Sequence, residues 1–139
     1  MKVPNATINI PYSDLASSEI IQKRGYFIFL RKDNILQLQM HNSFYVELND
    51  AISILDCIIK LSNGNKYPLL VNYADDNLFS SETREHIAKH SLTKADALVG
   101  TSLALRIIGN FYLKINKPLR PTRMFADEAS AIKWLNAFA

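Results

Sequence analysis

Between Tyr67 and Phe138 short apolar runs alternate with stretches of helical period, and that alternation restricts the fold more than any other feature of the chain. Leu69 to Tyr73, Ala97 to Gly100 and Thr122 to Phe125 read as strands. The first carries a Leu-Leu-Val run suited to burial on both faces. Helical patterns follow each of them, over Ser81–Ser91, Ser102–Ile115 and a closing segment that Asp127 is placed to cap. In the second of these helices Ala104, Ile107, Ile108, Phe111 and Ile115 fall on one stripe, and Pro118 and Pro121 confine its end. Strand and helix repeated with short links require right-handed crossovers, and therefore parallel strands.

The first half has a different period. Tyr26–Arg31 and Ile35–Met40 read as a hairpin, with turn chemistry in Lys32-Asp33-Asn34. Leu36, Leu38 and Met40 share one face of the second strand, and Gln37 and Gln39 are expected on a wet one. A strand near Ile20-Ile21-Gln22 would extend the hairpin into a meander. From Leu48 to Leu61 the period is helical, with Leu48, Ile52, Leu55, Ile58 and Ile59 on one side; Ser62-Asn63-Gly64-Asn65 ends it, Gly64 being suited to left-handed backbone. Residues 1–18 read as an N-terminal arm, or as an edge strand over Thr7-Ile8-Asn9-Ile10. The expected fold is α/β. One domain spans residues 1–139, with a mixed sheet made of an N-terminal antiparallel hairpin and C-terminal parallel βαβ units under packed helices.

Composition removes several function classes. A chain of 139 residues, 48% hydrophobic and 21% charged, has room for one self-sufficient core. Its net charge of +3 comes from dispersed Lys and Arg rather than a stripe, so nucleic acid is not an expected partner. Cys57 is the single cysteine, which excludes an internal disulfide. Met1 to Ala6 lack an apolar signal-peptide region, and no apolar run approaches the ~20 residues of a membrane span. A cytoplasmic protein without a transmembrane segment is the expectation.

Catalytic motifs are equally sparse. The four glycines, at 25, 64, 100 and 109, form no phosphate loop. His86-Ile87-Ala88-Lys89-His90 lacks the glutamate that a zinc hydrolase places after its first histidine. Cys57 lies among Leu55, Ile58 and Ile59, where a small buried side chain is the natural reading. Nucleophile, base and stabiliser are nowhere combined, so no catalytic residues, metal or cofactor are assigned.

Ala95-Asp96-Ala97-Leu98-Val99, Ser102 through Leu113, Asn116-Lys117-Pro118, Pro121 through Glu128 and Ala131-Ile132-Lys133-Trp134-Leu135 together resemble the small bacterial SpoIIAA-like proteins of the STAS-like superfamily. The resemblance extends over roughly residues 26–138. It implies a mixed sheet of four or five strands, no cofactor, and a regulatory role of the kind that anti-sigma-factor antagonists and transporter modules have. Some of those modules are switched by phosphorylation of a serine at a helix start. The matching segment here is Asp75-Asp76-Asn77-Leu78-Phe79-Ser80-Ser81-Glu82, which separates the aspartates from the serines and lacks the glycine of the antagonist pattern. It makes Ser80 and Ser81 candidates for a phospho-switch; as residues, they are natural helix caps.

Two further places follow from the expected topology. Ligands of open α/β sheets bind beyond the carboxyl ends of the strands. Here those ends offer Asp75, Asp76, Thr101, Ser102 and Asp127, a set too acidic for a nucleotide or phosphate. Phe111, Tyr112 and Leu113 are apolar on more sides than one buried stripe uses, which suits a partner surface or a pocket. The leading expectation is a non-enzymatic module that binds a protein partner or itself as a homodimer. The alternative is a small-molecule or lipid-binding protein with an apolar pocket.

Overall fold

The computed structural model describes residues 13–139; the edge strand expected over Thr7–Ile10 lies outside them. After a short 3₁₀ turn at Ser13–Leu15 come β1 (Ile21–Lys23), β2 (Tyr26–Leu30), β3 (Leu36–Met40), β4 (Tyr45–Val46) and α1 (Leu48–Ser62). Then follow β5 (Leu69–Asn72), β6 (Leu78–Phe79), α2 (Ser81–His90), β7 (Asp96–Val99), α3 (Leu103–Asn116), β8 (Thr122–Phe125), α4 (Glu128–Leu135) and a closing 3₁₀ turn at Asn136–Phe138.

Six strands form one sheet in the order β1-β2-β3-β5-β7-β8. β1, β2 and β3 are antiparallel, Tyr26 standing opposite Met40 and Leu30 opposite Leu36. Asn34, at φ 66°, supplies the left-handed residue that the β2–β3 turn needs. From β3 onward every pairing is parallel, β3 with β5, β5 with β7 and β7 with β8. The mixed sheet is thus the one that the strand and helix periods predict. β4 and β6 pair separately, Tyr45 with Leu78 and Val46 with Phe79, in a two-residue ribbon too short to leave a period in the sequence.

The three crossover helices share one face. Leu38, Val71 and Leu98 from the sheet meet Ile54, Leu55 and Ile58 of α1, Ala88 of α2 and Tyr112 of α3 in the main core. α4 lies on the other face, where Ala131 and Leu135 rest on Leu70, Ala97 and Val99. Phe125, Trp134 and Phe138 close that edge, their rings 5.6 Å and 4.9 Å apart in turn.

Two expectations change. Gln37 is 0% exposed and accepts from Arg31 Nη1 at 2.8 Å, while Gln39 accepts from Asn72 Nδ2 at 3.0 Å. β3 lies third of six, so its polar side chains join an internal network instead of facing water. On α1, Ile52 and Ile59 face outward and Ile54, Leu55, Cys57, Ile58 and Leu61 inward. The helix is apolar around most of its circumference, so periodicity alone places its stripe a fraction of a turn off.

Candidate functional site

The residues expected at the strand ends serve as local anchors. Asp76 accepts from Ser43 Oγ at 2.6 Å, which holds its carboxyl below the usual carboxylate range. Ser102 caps α3 by accepting from Leu105 N at 3.1 Å, and Asp127 caps α4 by accepting from Ser130 N at 2.8 Å. The same contacts to Ser130 lower the Asp127 carboxyl. Asp75 and Thr101 are exposed. No hydrogen bond or ion pair joins the side chains of the five among the described residues. Adjacent strands bring their loops side by side, but Ser102 and Asp127 are occupied by their own helices and Asp76 by Ser43 in the loop before β4.

Ser80 is the N-cap of α2, accepting from Thr83 N at 3.1 Å, and Ser81 is the first helical residue. Thr83 is fully buried and donates to Val46 O at 3.2 Å, which fastens the start of α2 to β4. Asn77 does similar work in the preceding loop. Its Oδ1 accepts from Ala74 N at 2.7 Å and its Nδ2 donates to His41 O at 2.8 Å. On the outer side of α2 the rings of His86 and His90 lie 4.5 Å apart.

Phe111, Tyr112 and Leu113 part company. Tyr112 is buried, Leu113 packs against the main core, and Phe111 is 58% exposed. Phe111 has company outside. α3 has eight exposed positions, and six of them are apolar: Leu103, Ala104, Ile107, Ile108, Phe111 and Ile115, against Asn110 and Lys114. The helix is therefore apolar over a wider arc than the sheet covers. Leu119, just beyond it, is also exposed. On the inner side Gly109 lets α3 sit close to β8, since a Cβ there would overlap Met124 Sδ.

Beneath α2 the core is incomplete. α2 packs chiefly against its flanking helices rather than the strands. Between it and the sheet lies a cavity of about 80 Å³, walled by β3, β5, β7 and β8 below and by the three helices around and above.

Asp96, on the wall of that cavity, is held in a buried ion pair. Arg120 donates from Nε to Asp96 Oδ2 at 2.7 Å and from Nη1 to the Ile87 and Ala88 carbonyls at 3.0 Å and 2.9 Å. Thr93 Oγ1 donates to the other Asp96 oxygen. Arg120 thus compensates one buried carboxylate and the orphan carbonyls at the end of α2 together. Burial pushes the Asp96 carboxyl up, and Arg120 and Thr93 pull it back. Tyr73 and Tyr112 stand nearby; burial raises both phenols, that of Tyr112 to about 12. Sequence reasoning missed this cluster. Asp96 and Arg120 are 24 residues apart, and the one available signal was an aspartate opening an otherwise apolar strand.

The family model for a domain of unknown function, DUF7793, matches residues 28–139. The chain belongs to this family. No curated protein matches it. Among solved structures it is similar to an uncharacterised protein of the DUF3478 family from Shewanella loihica PV-4, described as having a SpoIIAA-like fold. Identity is 14% and the TM-score 0.52, over 84% of this chain and 90% of that one. The fold is SpoIIAA-like. A protein of unknown function from Arthrobacter sp. FB24 is similar at 26% identity and a TM-score of 0.30, over 78% of this chain and 96% of that one. Among the described residues no helix is long and apolar enough to cross a membrane.

Proposed function

We propose that this member of DUF7793 is a cytoplasmic, non-enzymatic regulatory module that assembles with a second copy of itself through the outer face of α3. The observation that supports this reading is the composition of that face, six apolar side chains among eight exposed positions. Leu103, Ile107, Phe111 and Ile115 follow one another at intervals of four, which builds a single straight ridge. Two such ridges interdigitate at a crossing of about −50°, the commonest packing of helices. Together the exposed apolar side chains present roughly 500 Å², at the upper end of what a monomer leaves uncovered. Lys114 is the one ionisable side chain on the exposed arc, so charge repulsion between copies is slight.

Light scattering tests the proposal. The parent protein is expected at twice the protomer mass, and Phe111→Glu at the protomer mass with an unchanged circular-dichroism spectrum. A parent that stays at protomer mass at every concentration would sink it.

The cavity beneath α2 supports a second reading, a small-molecule or lipid-binding protein. Native mass spectrometry of gently isolated protein is expected to show an added mass that organic extraction removes. Identical masses before and after extraction would count against this reading.

A further inference from the structure

We infer that the cavity beneath α2 takes an aliphatic monocarboxylic acid, its chain lying between α2 and the sheet and its carboxylate on Arg84. The inference rests on the second reading above and names its ligand. Shape indicates the chain. The wall reaches from Leu38 on β3 to Met124 on β8, across four adjacent strands. That distance is about 14 Å at the usual strand spacing. Yet the void amounts to only about 80 Å³. The pocket is partly open to solvent and its wall is almost wholly apolar along that length, so an unbranched flexible chain can lie in it without being enclosed throughout.

The polar groups on the wall indicate the head group. Asp96 is committed to Arg120 and Thr93, and Asn77 to the backbone of Ala74 and His41. Among the wall groups carried by α2 and its C-cap, two keep hydrogen-bonding capacity. One is Ser91, whose Oγ is buried without a partner. The other is Arg84, which donates from Nη1 to Phe79 O at 2.6 Å and forms no ion pair among the described residues, so Nε and Nη2 are left to bind. Arg84, Ile87 and Ser91 line the cavity from the same side of α2, at helical spacings of three and four. A half-buried guanidinium with two free donors is the group best matched to a planar carboxylate. The lid thus carries the charge, while the sheet and α1 supply the apolar wall. No bond is made or broken; the acid is held as its anion.

The probes are octanoate and 1-octanol, which have the same chain length and different heads, titrated into the parent protein and Arg84→Gln. Methyl NMR signals of Leu98 and Ile58 report the cavity, and those of Ile107 report the outer face of α3. In the parent both probes should shift the cavity methyls saturably, with octanoate bound about tenfold more tightly. In Arg84→Gln octanoate should fall to the affinity of octanol, while octanol binds as before and shows that the variant is folded. Phosphatidylcholine vesicles, whose chains carry no free carboxylate, should leave the cavity methyls unmoved. Equal affinities in the parent, a preference that survives Arg84→Gln, or a vesicle response at the cavity would each overturn the carboxylate assignment and leave the pocket reading standing. Shifts at Ile107 alone, or none from either probe, would overturn both.

Discussion

α1 and α3 cover the same face of the sheet and have nearly equal apolar content, nine of fifteen residues against nine of fourteen. They use it in opposite ways. In α1 six of the nine apolar side chains are buried; in α3 only Leu105 and Tyr112 are. Position in the layer separates them. α1 packs over β2 with α2 alongside, whereas α3 rests on β8 at the end of the sheet. A helix over the edge strand has sheet beneath only part of its width, so an equally apolar helix keeps an open flank. Amphipathicity shows that a helix has a face to cover. Its place in the sheet decides whether the fold covers it.

The comparison can be broken at several points. Arg120→Met should have the largest effect, because it strands the Asp96 carboxylate and frees the end of α2, the helix between the other two. A loss of roughly 3–5 kcal/mol is expected by urea unfolding, and a loss below about 1 kcal/mol would mean that the pair does not seat α2. Ile58→Ala, at 1% exposure on α1, should cost roughly 2–5 kcal/mol by the same measurement.

Alkaline unfolding addresses the inner sides of both helices. Tyr26 donates to or accepts from Ser53 of α1 at 2.7 Å, and Tyr112 lies inside α3. Burial raises both phenols above the ordinary value near 10, that of Tyr112 to about 12. Folded pKa values above the unfolded ones mean that this stability is fully present below pH ~10 and is lost as pH rises through the folded values. For Tyr112 the loss is on the order of 2 kcal/mol between pH ~10 and ~12, and Tyr112→Phe should remove that part of the pH dependence. A Tyr112→Phe profile that superimposes on the parent's would contradict its burial. The smallest effect belongs to Ile107→Ala, within about 0.5 kcal/mol when measured on dilute protein. A large loss there would erase the difference between α1 and α3.

Local chemistry was legible in the sequence. The Asp33-Asn34 turn, the caps at Ser102 and Asp127 and the limits of the later helices each depend on residues within four positions of one another. Ser80 as a cap of α2 belongs with them. What the sequence withheld depends on neighbours distant along the chain. The burial of Gln37 follows from the strand order, and the Asp96–Arg120 pair from the start of β7 meeting the loop before β8. The outward turn of Phe111 follows from the place of α3 over the edge strand. The surplus of apolar residues at Phe111-Tyr112-Leu113 was visible, but its division between core and surface was not. Of the residues expected at a pocket Tyr112 alone lines the cavity, and the place of that cavity beneath α2 left no trace, since a void is a property of how three helices fail to meet.

The end strand of the sheet limits how chains of this kind can associate. β8 is four residues long, follows directly on Pro121, and carries an exposed Arg123 whose guanidinium lies 5.1 Å from the Phe125 ring centre. Short length, a proline and a cation are the devices that stop an unpaired edge from recruiting foreign strands. On this side the backbone offers no template for runaway β-pairing. A flank as apolar as that of α3 can therefore stay uncovered beside it without opening a path to fibrils.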